Sequence, residues 1–147
     1  EGFDKGVISR NNVTFNERYN EAKARLAEDT RTLPGTIAPA KASSKPMLAS
    51  LTADSFFSHK DYKTAKELYE SALNKAPVLD KDGGDQTDRT RFRLAMSKAM
   101  LGDYAGAKAD FAMINNPNRK AIAEYWNMYI DQLSKPAAAP VAAAPST

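Results

Sequence analysis

The chain has 147 residues, 42% of them hydrophobic, with a formal net charge of +3, no cysteine and one histidine, His59. This is the composition of a folded soluble protein, and it excludes disulfides, thiolate metal sites, cysteine nucleophiles and any site that needs two histidines. No run of about 18 apolar residues predicts a membrane-spanning helix, and no concentrated basic stripe favours a nucleic acid as partner.

The N-terminal residues 1–13 lack apolar periodicity and are predicted to be an extension. The chain starts at Glu1, with neither a Met nor an apolar leader, as a protein would after removal of a signal peptide. We therefore expect a location in the bacterial periplasm or cell envelope. The cytoplasm is the alternative, because the absence of cysteine fits both compartments.

Pro- and Gly-containing breaks at 31–46, 77–88, 115–118 and 136–147 divide the chain. Between them, apolar residues recur in steps of three and four, which predicts helices and little strand. The helices are expected from Thr14 as cap to about Glu28, over 62–76, over 92–101 with apolar residues on two sides, from Tyr104 to about Ile114, and over 120–133.

One spacing occurs three times. Tyr19, Ala22 and Leu26 have the same intervals as Tyr62, Ala65 and Tyr69, and as Tyr104, Ala107 and Phe111. The blocks are 43 and 42 residues apart, and an Asp precedes the Tyr of the second and third blocks. Repetition at such a period is typical of stacked helical repeats.

These residues resemble the tetratricopeptide repeat (TPR) family, whose unit is a pair of antiparallel helices, A and B. One unit is matched by Ala53, Phe56, Asp61, Tyr62, Ala65, Tyr69, Ala72 and Pro77. The next is matched by Leu94, Ala95, Gly102, Asp103, Tyr104, Ala107 and Phe111, and a third helix A or capping helix by Ala123, Glu124 and Trp126. The period exceeds the family's 34 residues, and Lys98 stands where the family usually has an aromatic.

The resemblance implies an all-α fold: a short right-handed solenoid of helical hairpins with a capping helix and disordered termini. The expected segments are an N-terminal extension (1–13), a helix B-like half repeat (14–34), a linker (35–45), a TPR-like repeat (46–77), an acidic loop (78–87), a second repeat (88–117), a capping helix (118–134) and a Pro/Ala-rich tail (135–147).

No motif predicts catalysis, a cofactor or a metal site. His59 lacks a nucleophile or carboxylate placed beside it by any motif, and we interpret it as a polar residue at the end of a helix. The acidic run 80–88 lacks the closing Glu of a calcium-binding EF-hand loop. We interpret it as a solvated loop, with Thr87 or Asp88 capping the next helix.

The family binds peptides in a groove lined by its A helices, so the resemblance implies a partner-binding surface. Arg89 and Arg93 lie four residues apart on one helical face and can together hold a carboxylate, or can belong to a solvated, salt-bridged helix start. The predicted partner-binding residues are Asp54, Phe57, Arg89, Phe92, Arg93, Met96, Met100 and Trp126.

We therefore expect a non-catalytic module that binds one or more proteins or peptides carrying an acidic group. The alternative is a structural subunit of a larger complex, such as one in the cell envelope, held by its linkers and terminal helix. An enzyme or small-ligand binder is the least favoured hypothesis.

Overall fold

The computed structural model describes residues 13–134. In this range the chain is all-α, as predicted, and its nearest approach to a strand is an isolated bridge between Leu79 and Asp85. The predicted disorder of the extension up to residue 12 and of the tail 135–147 falls outside the described residues. The elements are α1 (Val13–Thr32), a 3₁₀ helix (Leu33–Thr36), α2 (Ile37–Ala42), α3 (Pro46–Ser58), α4 (Tyr62–Leu73), α5 (Thr87–Met100), α6 (Tyr104–Ala112) and α7 (Pro117–Leu133).

Two helix starts are built in the same way. The Asp61 side chain accepts a hydrogen bond from the Thr64 N–H at 3.1 Å, and the Asp103 side chain accepts one from the Gly106 N–H at 2.9 Å. Each satisfies a backbone donor that the first turn leaves free. The residue before each Asp has a positive φ, 62° at Lys60 and 82° at Gly102. The Asp-Tyr repetition in the sequence is therefore a repeated helix turn.

Several expected boundaries differ from the structure, because α4 ends at residue 73 and not at 76, and α5 begins at residue 87 and not at 92. Thr14 lies inside α1. Gln86 is the N-cap of α5 and makes no side-chain cap bond, while the Asp85 carboxylate accepts from the Thr87 N–H at 2.8 Å. The predicted linker 35–45 contains part of the 3₁₀ helix and all of α2, which contacts α3 and α4 and buries Ala40.

The buried residues form two main clusters on either side of α5. The first contains Leu94 and joins α2, α3 and α4 to α5, whereas the second contains the next residue, Ala95, and joins α5 to α6 and α7. The two-sided packing predicted for residues 92–101 is confirmed. A hydrogen bond of 2.9 Å between the buried hydroxyls of Ser50 and Thr90 ties α3 to α5.

The same pattern of helix contacts is found for α3 and again, two helices later, for α5. Each helix from α3 to α6 contacts its successor, and in addition α3 contacts α5 and α5 contacts α7. By contrast, α1 contacts the 3₁₀ helix alone among the described elements and has no buried residue. The block containing Ala22 and Leu26 therefore shares the spacing of the α4 and α6 blocks without sharing their burial.

The fold predicts that enlarging two alanines of one helix lowers the free energy of unfolding by different amounts. Ala107 has no exposed surface, while Ala109 is exposed on the same helix, α6. We expect Ala107→Leu to lower the free energy of unfolding by about 1–3 kcal/mol through overpacking, and Ala109→Leu to change it by no more than about 0.5 kcal/mol. Urea denaturation measures both, and equal losses would mean that α6 does not pack through Ala107.

Candidate functional site

Asp54 lies inside a polar triad rather than open to a partner. Its Oδ1 accepts from the Tyr69 hydroxyl at 2.6 Å, and its Oδ2 pairs with Arg89 Nη2 at 2.5 Å. The side chains of Asp54 and Arg89 are 23% and 25% exposed, and Tyr69 is fully buried. The chain therefore uses these two predicted partner-binding residues to link α3, α4 and α5.

Of the two alternatives for Arg89 and Arg93, the salt-bridged helix start describes Arg89, because Asp54 lies opposite it on α3. Arg93 is half-buried, with its guanidinium 5.3 Å from the centre of the Phe57 ring, and it forms no ion pair within residues 13–134. A cation on an aromatic face keeps its outward N–H donors for another ligand.

Phe57 is held by its own neighbours. Its ring meets Tyr62 edge to face, with 5.2 Å between the centroids, and packs against the first core cluster. Arg93, Phe57 and Tyr62 thus bring together α5, α3 and the start of α4. We call Arg93 and Phe57 the cation–aromatic site.

Phe92 and Met96 are half-buried against the second core cluster. Phe92 lies 5.3 Å from Phe111, ring centre to ring centre, in an edge-to-face arrangement. The Phe111 ring in turn stacks on Trp126 at 6.2 Å. These ring contacts run from α5 through α6 to α7, so Phe92 takes part in the packing of α5 on α6.

Met100 and Trp126 belong to a second surface. Together with Ile122, Tyr125 and Tyr129 they line an open depression of about 440 Å³, which we call the terminal patch. Trp126 meets Tyr129 edge to face at 5.9 Å, and Tyr125 is 72% exposed. The eight predicted residues therefore divide between the triad, the cation–aromatic site, the second core cluster and the terminal patch, and all of them lie on α3, α5 and α7.

Sequence reasoning missed a buried ion cluster. Asp110 on α6 is almost fully buried, and its carboxylate pairs with Lys98 at 2.6 Å and with Arg91 at 3.5 Å. The cluster ties α5 to α6, because its two cations are on α5 and its carboxylate is on α6.

The acidic loop is organised by Asp80. Its carboxylate accepts from the N–H groups of Gly84 and Asp82 and from the Gln86 side chain, and these bonds, led by Gly84, lower the pKa of Asp80. No group of three acidic or histidine side chains is placed to hold a metal ion in the range 13–134. The loop shape thus depends on backbone donors.

His59 is the C-cap of α3, and its Nδ1 lies 2.9 Å from the Ser55 carbonyl oxygen.

Among the described helices, none is both long and apolar enough to cross a membrane. Comparison of the chain with protein-family models, with curated proteins and with solved structures gives no match. What the chain does must therefore be argued from its own surfaces.

The triad predicts a loss of stability in alkali. Burial, followed by the hydrogen bond and the charge of Asp54, raises the pKa of Tyr69 above its ordinary value. The folded state therefore keeps a proton that the unfolded chain releases. The stabilisation is complete below the unfolded-state pKa of about 10 and is lost as the pH rises from there towards the folded-state pKa.

Denaturation midpoints measured between about pH 8 and pH 11 test this. We expect Tyr69→Phe to reduce the alkaline loss of stability, because the titrating hydroxyl is gone. Tyr125→Phe, at an exposed position, should retain the loss seen in the parent chain. An unchanged alkaline loss in Tyr69→Phe would show that its hydroxyl does not titrate in this way.

Proposed function

We propose that the chain is a non-catalytic protein-binding module built as a short TPR-like solenoid. Two features support the arrangement. The turns before α4 and α6 share a positive φ and an Asp cap, and the contacts α3–α4, α4–α5 and α3–α5 recur as α5–α6, α6–α7 and α5–α7. In such an array α3, α5 and α7 are the A helices.

The observation that carries the binding role is that the guanidinium of Arg93, in the cation–aromatic site, forms no ion pair with any of residues 13–134. Arg89 and Arg93 are one turn apart, yet Asp54 neutralises the first and leaves the second on Phe57. A planar guanidinium offers paired donors that fit a carboxylate. The proposed ligand is a protein segment that places an acidic side chain or terminus on Arg93, with an apolar group beside it.

A specific observation also favours the second candidate, a structural subunit held by its terminal helix. The terminal patch is apolar and open, and the five side chains that line it carry no charge. Exposed apolar patches of this kind mark interaction sites.

For both candidates we propose the bacterial periplasm or cell envelope as the location, with the cytoplasm as the alternative.

Charge reversal at Arg93 tests the binding role. We expect Arg93→Glu to weaken partner binding by about 2 kcal/mol or more, with little change in melting temperature because one cation–aromatic contact contributes about 0.5–1 kcal/mol. Lys63→Glu, an exposed reversal on α4, is the matched control. Calorimetric titration uses a partner captured on the immobilised chain, beside thermal melts of both variants.

A terminal-patch variant, Tyr125→Glu, separates the two candidates. If it loses the partner while Arg93→Glu binds like the parent chain, the interface is on α7 and the cation–aromatic assignment is wrong. If Lys63→Glu weakens binding as much as Arg93→Glu, the effect is one of net charge alone.

A further inference from the structure

Two contacts lie next to each other between α3 and α5. In the first, Asp54 on α3 pairs with Arg89 on α5, with 2.5 Å between Oδ2 and Nη2. In the second, Phe57 on α3 lies against Arg93 on α5, whose guanidinium is 5.3 Å from the ring centre. Residues three or four positions apart in a helix share a face, so the two arginines have neighbouring places on α5. One of them faces a carboxylate and the other faces a ring.

The two arginines and Asp54 also act on one hydroxyl group. Burial, followed by the hydrogen bond and the charge of Asp54, raises the pKa of Tyr69, and the charges of Arg93 and Arg89 oppose that rise. A charge changes a pKa appreciably only from close by. Two cations and one carboxylate therefore share a single electrostatic environment between α3, α4 and α5.

Asp54 keeps Arg89 turned away from a ligand. It pairs with Nη2, and the Nη1 atom of Arg89 is buried, with no hydrogen-bond partner among residues 13–134. A carboxylate from outside cannot use Nη2 without displacing Asp54. By contrast, Arg93 forms no ion pair in the same range, and a contact with a ring face leaves the edge donors of a guanidinium for another ligand. Arg93 is therefore the cation that a ligand can reach.

We propose that Asp54 determines the charge of the ligand that the cation–aromatic site accepts, because it occupies Arg89 and leaves a single guanidinium for the ligand. The inference rests on the proposed function, since it assumes that an acidic group of the partner binds Arg93. Asp54 acts through Arg89 and does not touch the ligand. It is thus a specificity-determining residue of the site.

The ligand class follows from the number of guanidiniums. A carboxylate of a side chain or chain terminus needs one guanidinium, which it can meet with two parallel hydrogen bonds. A phosphorylated side chain carries a charge of about −1.5 to −2 and three acceptor oxygens, so it gains more from a second guanidinium. The site is therefore matched to an unmodified acidic group, with no selection for a phosphorylated segment.

Replacement of Asp54 by Asn separates charge from shape. The amide oxygen of Asn can still accept from the Tyr69 hydroxyl, whereas Arg89 loses its counter-charge. Two cations then face the ligand with no carboxylate between them. We expect this change to favour a ligand of higher negative charge over a carboxylate.

An NMR titration of the full chain with two capped peptides tests the proposal. The peptides are acetyl-phenylalanyl-glutamate amide and acetyl-phenylalanyl-phosphoserine amide, and the side-chain N–H signal of Arg93 reports binding. At about pH 7.5 the glutamate is singly charged and most of the phosphate is doubly charged. In the parent chain we expect the two dissociation constants to agree within about fivefold, the range of one exposed ion pair. In Asp54→Asn their ratio should shift by at least about tenfold towards the phosphoserine peptide.

Two further variants distinguish this role from a purely structural one. Asp54→Asn combined with Arg89→Gln removes both members of the pair and should return the ratio to that of the parent chain. Asp82→Asn removes an exposed carboxylate paired with Lys81, so it makes the same change in net charge at a distant loop and should leave the ratio unchanged. Thermal melts accompany each titration. The parent ratio needs no variant, so it still tests the proposal if Asp54→Asn fails to fold.

A parent chain that prefers the phosphoserine peptide by more than about tenfold, or an Asp54→Asn ratio equal to that of the parent, would overturn this inference. Either result would retain the proposed function, because Arg93 would still bind an acidic group. An equal shift in Asp82→Asn would assign the effect to net charge and would also overturn the inference. If neither peptide binds the parent chain at up to about 10 mM, the Arg93 site and this inference are both wrong.

Discussion

Close approach of helices at alanine positions is the constraint on which the rest of the structure depends. Ala53, Ala65, Ala95 and Ala107 have no exposed surface and lie in the two core clusters. The methyl groups leave room for large rings, Phe56 and Tyr69 in the first cluster and Phe111 in the second. The clusters have different requirements, because among these rings only Tyr69 brings a hydroxyl that must be satisfied in the core.

The surface chemistry follows from that difference. The Tyr69 hydroxyl donates to Asp54, and Asp54 also pairs with Arg89. The second cluster has an aromatic chain that continues to Trp126, and its buried carboxylate, Asp110, meets Lys98. Within residues 13–134, Arg93 is therefore the cation of α5 that forms no ion pair, and α7 is the last helix. The two proposed interfaces lie at these two places.

Local signals in the sequence were enough for the regular part of the fold. Asp61 and Asp103 cap helices, and the alanines and aromatics three and seven residues after Tyr62 and Tyr104 are buried, as their spacing indicates. The same spacing at Tyr19 did not predict that Ala22 and Leu26 are exposed, because periodicity identifies an apolar stripe and does not identify the residues that cover it.

The sequence also could not show which charged side chains distant in the chain pair with each other. Asp54 and Arg89 are 35 residues apart, and each alone is an ordinary surface residue, so the groove prediction counted both as available to a partner. The segment 35–45 was predicted to be a linker from its prolines and small residues, yet Pro39 and Ala40 lie in α2, whose burial comes from tertiary contact with α3 and α4. Such contacts override local propensity.

Helices α3 to α6 form one continuous packed unit through α5, and α1 lies outside this unit in an isolated chain. Hydrogen exchange of backbone amides tests this most directly, at a concentration where the protein sediments as a monomer. We predict that core amides of α3, α4, α5 and α6 open with one common free energy, while α1 amides exchange with little protection. Protection of α1 equal to that of α4, or independent opening of the α3–α4 and α5–α6 pairs, would contradict the account.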